Sequence, residues 1–442
     1  MGISKRNCKQ RMVRGLMILM MVLLVSTAYA SPQTIKVGEG HKFSALQQAF
    51  DAANDGDTVK VFGGRYKESP LILDKSIALI GHDMPVIDGE NDHETLKIEA
   101  DSVHVKGFRF VGSGVSHTSD NAALRFNRVV GGKVTDNVLD SNYFGIYLAK
   151  AHNMTIRNNK IQTHHQRESM SANGIHLWDT KDATIEDNNI RGHRDGIYFE
   201  YVENSTISGN ISEENLRYGL HFMFSDSCAY TDNAFINNGA GVAVMYTDDV
   251  LMKNNKFLDN WGTSSYGLLL KDINDSHIEE NIFRNNTLGI RKDGSNRTTI
   301  KRNEFRNNGW GVKVLSNAMD NRFTENNFID NTFDVSTNSR QNYSEFNYNY
   351  WSKYSGYDLD GDGKGDVPYR PVRLFSLIIE QNPIALILLR SFFIEILDMA
   401  ERIMPVLTPE TLVDENPAMK AFDLYDRRKI SDEEIREAYS TE

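Results

Sequence analysis

The chain has 442 residues, 40 % hydrophobic and 25 % charged, with 32 glycines and 9 prolines, a composition that excludes a disordered or collagen-like chain and supplies ample core material. Lys+Arg of 49 against Asp+Glu of 60 gives a net charge of −11, so no general electrostatic attraction draws the chain to nucleic acid or to anionic lipid.

The first thirty residues read as an export signal. Lys5, Arg6, Lys9, Arg11 and Arg14 precede an apolar run from Gly15 to Val25, and Ala28 and Ala30 flank Tyr29 where a signal peptidase reads. The mature chain is expected to start at Ser31 and to be exported. Loss of residues 1–30 removes five basic and no acidic groups, which takes the net charge to −16. The apolar run falls short of the roughly twenty residues that a bilayer core demands. Of Cys8 and Cys228 only the second survives such cleavage, so Cys228 reads as a small buried hydrophobe without a disulfide partner.

Residues 31–111 read as an N-terminal cap and first coils. Phe43, Leu46, Ala49, Phe50 and Ala53 fall at helical spacing, predicting a short amphipathic helix over Phe43–Ala53. Asp55-Gly56-Asp57 then turns into a strand at Thr58–Phe62, with further strands at Ser76–Ile80, Leu96–Ile98 and Val103–Val111. An open solenoid end exposes apolar interior and unpaired strand edge, so a cap is required.

Residues 112–346 carry a repeat. Gly145-Ile146-Tyr147-Leu148 recurs at Gly174, Gly196, Gly219, Gly241, Gly267, Gly289 and Gly311, at steps of 29, 22, 23, 22, 26, 22 and 22. Eight residues before most of these glycines stands an asparagine, as at Asn137, Asn188, Asn233, Asn281 and Asn303, followed two later by an apolar residue. Each unit holds short segments of period two between Asn, Asp and Gly turns. Such a unit cannot close a core alone, but stacked units bury one aliphatic column and pair every strand above and below. The expected fold class is all-β, a parallel β-helix. Asparagine suits its corners by tolerating left-handed backbone and by bonding along a stack, and the glycine is expected to supply positive φ.

Counting the glycine as zero, positions one and three are aliphatic or aromatic in nearly every unit and point inward, so positions two and four face outward. The outward columns place Tyr147, His176, Trp178, Tyr198, His221, Met223 and Met245 on one face, a candidate partner-docking surface. Histidines concentrate here, and the longest unit holds His164, His165 and Met170. Imidazole with thioether suits copper, which makes His164, His165, Met170 and His176 candidate ligands for weak or transient copper contact. His176 and His221, two coils apart, are separated by roughly 10 Å, too far to share an ion unaided.

Residues 347–371 hold Asn349-Tyr350-Trp351 and an Asp-Gly turn in which Asp358, Asp360 and Asp362 alternate ahead of Asp366. This copies the first half of a calcium-binding EF-hand loop, while Tyr369 stands where the bidentate glutamate belongs. A calcium-stabilised turn and a charged turn without metal both fit. Residues 372–442 read as a C-terminal amphipathic helical tail. Leu377, Ile384, Leu388, Phe392, Phe393 and Ile396 lie on its apolar face, and charges interrupt every window long enough to span a bilayer.

Gly56-Asp57-Thr58-Val59, Gly64-Arg65-Tyr66-Lys67-Glu68, the Asn/Gly repeat, and Tyr350-Trp351 through Tyr354-Ser355-Gly356-Tyr357 to Pro368-Tyr369 together resemble the NosD family of periplasmic accessory proteins in nitrous oxide reductase maturation. The resemblance covers essentially the whole mature chain. It implies a right-handed β-helix without enzymatic activity that works with the permease and ATPase subunits of an ABC transporter. It also implies a lipoprotein copper chaperone and the apo-reductase as partners, with the chain peripheral to the membrane through the permease. By that analogy the apolar tail grips the permease and the aromatic face meets the chaperone or the reductase. The rival reading is a secreted β-helix lyase, hydrolase or epimerase acting on acidic polysaccharide. Arg194, Asp195 and Glu200 offer the nearest thing to its acid/base cluster, but a net charge of −16 repels a polyanion.

Overall fold

Three apolar stretches per unit, separated by residues that accept a sharp bend, bring the chain back above its own start once every 22 residues or so. In the computed structural model, which describes residues 31–116, 118–165, 167–339, 341–389, 391–404 and 410–424, every strand pairs in parallel with its equivalent one coil away. The result is three sheets of 14, 12 and 13 strands, a parallel β-helix. The export signal and the last eighteen residues lie outside the described residues. Register is strict: Ile146, Ile175, Ile197, Leu220, Val242, Leu268, Ile290 and Val312 form one interior column.

Asparagine does hold the corners, through its side chain. Asn159, Asn188, Asn210, Asn233, Asn255, Asn281, Asn303, Asn326 and Asn349 each accept, at Oδ1, the backbone N–H and the Nδ2 of the previous rung at 2.8–3.1 Å. The left-handed residue is the one before each rung, such as Asp136, Asn158, Asp187 and Asn254. A second ladder, not anticipated from sequence, runs through Asn215, Asn238, Asn260, Asn286, Asn308 and Asn331.

The glycine column corrects the expectation of positive φ, since none of the eight repeat glycines is in the left-handed region. Their function is close approach. A Cβ on any of them would fall 2.3–2.9 Å from a carbonyl oxygen of the next coil, below any tolerable contact.

At the N-terminal end a helix α1 (Leu46–Ala52) closes the rod with Leu46, Ala49 and Phe50 buried. The strand expected over Val103–Val111 divides into Val103–Lys106 and Arg109–Val111 around Gly107, whose φ of 78° turns the corner. The last coil, Glu345–Asn347 and Tyr350–Trp351, still belongs to the rod.

The tail expected over residues 372–442 is instead an excursion that leaves the rod and returns. It consists of helix α2 (Leu374–Gln381), a 3₁₀ turn (Pro383–Leu388) and helix α3 (Phe392–Ile403), the break falling at Pro383, which cannot continue a helix. The chain then rejoins the rod at Asp414, whose backbone pairs with Tyr369 and Phe346. Its carboxylate stands where the next asparagine rung would be, accepting from the Tyr348 and Asn349 backbones, Asn349 Nδ2 and Trp351 Nε1 at 3.0–3.1 Å.

Two described interior positions break the apolar rule, Ser212 in the column of Ile190 and Phe235 and, more sharply, Lys292. Lys292 sits at position three of its unit, 0 % exposed, with Nζ 2.5 Å from Thr298 Oγ1. Burial without a carboxylate lowers its pKa to about 7. Between pH 7 and its ordinary value near 10.5 the unfolded chain therefore holds a proton that the folded chain lacks, and stability rises with pH across that window. Lys292→Met is expected to stabilise the rod by about 1–4 kcal/mol at pH 7. The gain should shrink toward pH 10.5, read as thermal unfolding midpoints across the series; a variant no more stable than wild type at pH 7 contradicts the assignment.

Candidate functional site

The outer side of the 12-stranded sheet is aromatic over its middle coils. Register stacks Tyr147, His176, Tyr198 and His221 on successive coils. Their rings form a continuous chain with centroids 4.6–4.9 Å apart. Phe144 joins it at 5.3 Å from Tyr147, and Tyr218 at 4.7 Å from His221. Such edge and tilted contacts add to simple burial. Ile197 and Phe199 on either side of Tyr198 are fully buried in the core, so this ladder projects outward.

Not all of it reaches solvent, contrary to the alternation rule. Tyr147 is 7 % exposed and His221 5 %. The long unit folds back here: Ala172 donates to the Tyr143 carbonyl at 3.0 Å and packs with Phe144 and Tyr147. His221 is walled in by Tyr198, Tyr218 and Arg217. His176, Trp178, Tyr198, Met223 and Met245 are half-buried, and Tyr198 Oη lies 3.5 Å from Met223 Sδ. Tyr147, His176 and Trp178 line a groove of about 520 Å³ with Arg125, Lys150 and Glu200. There Arg125 covers the Tyr147 ring at 5.0 Å and Lys150 the Trp178 ring at 5.1 Å.

The electrostatics of this face fix charge states. Burial, reinforced by Arg194, lowers the His176 pKa to about 3, so its ring is neutral; Nδ1 meets Asn173 at 3.0 Å. Burial raises Tyr147 and Tyr198 to about 12. Asp195, fully buried, is clamped by both arms of Arg217 and lies 3.5 Å from His221 Nδ1; burial works against its charge, but these partners hold its pKa low. That carboxylate, the centre of the acid/base cluster in the polysaccharide reading, is held in an ion pair with Arg217. The Nε2 atoms of His176 and His221 are buried without a hydrogen-bond partner.

Sequence reasoning stopped one column short. Beside Glu200, Met223 and Met245, at position five, stand Tyr201, Phe224 and Tyr246, stacked at 5.3 and 5.2 Å with ring planes 11° and 14° apart. All three are exposed and all three have φ between 51° and 56°, which costs a bulky residue about 1–2 kcal/mol. Neighbouring coils fill this corner with Lys150, Asp179, Asp272 and Gly294. The signal was legible at a fixed offset of five from each repeat glycine.

The helical excursion lies on the same side of the rod. Phe375 and Ile379 of α2 and Ile394 of α3 bury against Phe333 and Trp310, the C-terminal continuation of the aromatic face, and Lys313 pairs with Glu380 at 2.7 Å. Leu377, expected on the docking surface, packs instead on the core, because α2 turns that side inward. Ile384, Leu388, Phe392, Phe393 and Ile396 are exposed, as are Ile387, Met399 and Ile403. No helix among the described residues is long and apolar enough to cross a membrane.

The remaining candidates separate. His164 and Met170 are exposed and His165 is half-buried, and these residues do not converge with His176. Among the described residues the one group of three or more His, Cys, Asp or Glu with converging ligand atoms is Asp358, Asp360 and Asp362. Those carboxylates accept backbone N–H groups of Gly361, Gly363, Asp362 and Lys364 within their own turn, and Asp366 accepts from Leu359. Cys228 is buried, its thiol pushed up to about 12 by burial, and is unreactive.

Fold and face together define a parallel β-helix with an apolar outer face and a helical excursion at one end. A family model described as "Periplasmic copper-binding protein (NosD)" matches residues 162–356. A Pseudomonas aeruginosa protein named "Probable ABC transporter binding protein NosD" is 29 % identical over 83 % of this chain and 89 % of its own length. One of the same name from Stutzerimonas stutzeri is 26 % identical over 76 % of this chain and 80 % of its own. Over most of its length the chain is thus similar to proteins named NosD. Among solved structures, the catalytic unit of a GH87 α-1,3-glucanase from Streptomyces thermodiastaticus overlays with a TM-score of 0.55 at 14 % identity, over 73 % of this chain and 66 % of that one. The Dettilon tailspike protein overlays with a TM-score of 0.52 at 13 % identity, over 67 % and 65 %. These likenesses are of fold alone.

If the position-five rings serve the outside and not the core, Phe224→Asn is expected to change unfolding free energy by no more than about 1 kcal/mol, since asparagine accepts the left-handed backbone. Phe222→Asn, two residues away in the core, should cost at least about 3 kcal/mol. Equal losses in chemical denaturation would show that Phe224 is structural.

Proposed function

We propose that this chain is a non-enzymatic periplasmic maturation factor that works beside an ABC transporter in supplying copper to nitrous oxide reductase. The observation that carries the reading is the exposed apolar side of the excursion, pinned to the same side of the rod as the aromatic face. Phe392, Phe393, Ile396, Met399 and Ile403 form a surface that water disfavours, and its place at the rod end suits a membrane-embedded permease, with the ATPase beyond it. The relatives' name as ABC transporter binding proteins supports this part.

The aromatic face, 144–246, is then left to a lipoprotein copper chaperone or to the apo-reductase. Tyr and Trp on a half-desolvated face are the residues that dominate association energies. Copper passes this chain as cargo. The outward thioethers of Met223 and Met245 sit on adjacent coils, about 4.8 Å apart by strand spacing, and with His221 make a softer donor set than His164, His165 and Met170. The copper-binding description of the family supports contact with the ion. The Asp358–Asp366 turn is read as a turn with capacity for Ca²⁺ and no part in copper handling.

Two measurements test the scheme. Replacing Phe392, Phe393 and Ile396 together by Ser is expected to abolish co-purification of the permease and ATPase from detergent extracts while the unfolding midpoint of the rod is unchanged; retained co-purification refutes the role of the excursion. Replacing Tyr201, Phe224 and Tyr246 together by Asn should weaken capture of the chaperone or reductase at least tenfold and leave exported reductase short of copper. Normal metal content would remove the face from the mechanism.

A further inference from the structure

On the N-terminal side of the position-five ridge, the 12-stranded face opens into the groove of about 520 Å³. Register runs from Arg125 through Tyr147 and His176 to Tyr198, with Ala149, Trp178 and Glu200 in the column alongside. The groove therefore spans three coil spacings, about 14 Å. Ala149, the smallest residue in its column, leaves the depth beside the Trp178 indole.

One buried donor in this groove has no partner, and the hydrogen-bond chain behind it fixes which atom that is. Arg194 Nη2 donates to Asn173 Oδ1 at 3.2 Å. Arginine accepts nothing, so that oxygen is assigned, and the Asn173 group facing His176 Nδ1 at 3.0 Å is the amide nitrogen. An amide nitrogen only donates, so Nδ1 accepts, and the single proton of this neutral ring sits on Nε2. The ring is held between those of Tyr147 and Tyr198 at 4.6 and 4.8 Å. Its far atom, Nε2, is buried without a hydrogen-bond partner, which leaves an N–H donor unmatched by the fold.

The charges of the groove are of both signs. Arg125 is held by Glu94 at 3.6 Å and Lys150 by Asp179 at 3.4 Å. Among the described residues the Glu200 carboxylate and the Arg128 guanidinium, both lining the groove, make neither a side-chain hydrogen bond nor an ion pair. With a free acid and a free base in one groove, neither an anion nor a cation is favoured along its length. A hydroxyl donates and accepts through one atom, so a row of hydroxyls answers Glu200, Arg128 and the His176 N–H alike. An extended peptide reads a sheet through backbone bonds, and the strands Ala122–Asn127, Phe144–Ala149 and Ile175–Lys181 are already paired at both edges.

We propose that this groove binds a short segment of a neutral saccharide, with a sugar ring beside Trp178 and Tyr147 and hydroxyls donating to Glu200 and accepting from Arg128 and His176 Nε2–H. Aromatic walls with a few placed polar groups are the usual make-up of such a site. The groove ends at Glu200, where the ridge begins at Tyr201, so a glycan here leaves the ridge open to a protein partner.

Calorimetric titration of the full mature chain with tri-N-acetylchitotriose, cellotriose and trigalacturonate tests it. At least one of the two neutral sugars is expected to bind, about tenfold or more tighter than trigalacturonate. Glu200→Gln and Trp178→Ala should each weaken that binding about fivefold or more. Glu200 is half-buried on the surface, so its isosteric variant keeps the test independent of how the Trp178 variant folds. Side-chain ¹⁵N spectra give a second readout: His176 is expected as the Nε2–H tautomer, its Nε2 signal shifting when the sugar is added. Failure of both neutral sugars to bind up to about 10 mM, equal binding of trigalacturonate, or undiminished binding by the Glu200→Gln chain would overturn the site. None of these readouts involves copper or the transporter, so the result is separate from the maturation role.

Discussion

The structure depends on the asparagine rung. A chain that turns three corners per coil must satisfy backbone N–H groups that the sheets cannot reach, and a buried unpaired amide costs about 1–3 kcal/mol. Each rung settles this by having one Oδ1 accept both the backbone N–H and the side-chain amide of the coil before, as Asn188 does for Asn159 at 3.0 and 2.9 Å. Because the bond runs along the rod axis, it also sets the stacking distance. Phe257, Phe283, Phe305 and Phe328 are then obliged to stack nearly face to face, 4.5–4.9 Å apart, and the outer rings inherit the same spacing.

A ladder of this kind needs an end. An asparagine at position 414 could accept from Asn349 N–H and Nδ2 as every rung does, but would turn an amide nitrogen toward the Tyr348 and Asn416 N–H groups; the Asp414 carboxylate takes all five donors, Trp351 Nε1 included. Since Asp414 lies beyond the helices in sequence, the excursion is clamped at both ends, by α2 on Phe333 and by Asp414 on the last coil. Its exposed apolar residues are thus presented from a fixed platform. That separates this arrangement from a flexible tail, which would lose more entropy on docking.

The repeat, the three-sided coil and the inward columns were legible because period two and period 22 are written in side chains. The purpose of the glycines was not, since Gly241 reads identically whether it is needed for φ or for a carbonyl of Gly267 2.3 Å from its missing Cβ. Burial of Tyr147 and His221 was equally hidden, because alternation assigns a face of the sheet and cannot foresee that Ala172 returns to cover the first or that Tyr198, Tyr218 and Arg217 wall in the second. Leu377 and Ile384 both read as apolar positions of the tail, and the sequence does not say that the parts on either side of Pro383 meet opposite fates, one packed on the core and one exposed. The stacked rings at position five went unread because a left-handed turn predicts Asn, Asp or Gly there, and Tyr201, Phe224 and Tyr246 violate that rule.

That violation is informative in the way backbone strain usually is. Three successive coils each hold an aromatic residue where Asp179 and Asp272, on either side, hold the residue type that the backbone prefers. Mutual stacking returns about 0.5–1.5 kcal/mol per pair, and with two pairs for three strained residues it does not cover the cost. Partial burial adds to the stacking, yet Tyr201 stays 52 % exposed and Phe224 and Tyr246 39 % each, so folding leaves much of their apolar surface facing water. What the rings add is a rigid apolar ridge along Met223 and Met245, held at coil spacing and continuous with the buried ladder behind it. An exposed ridge on strained backbone is the feature that the proposed docking role employs.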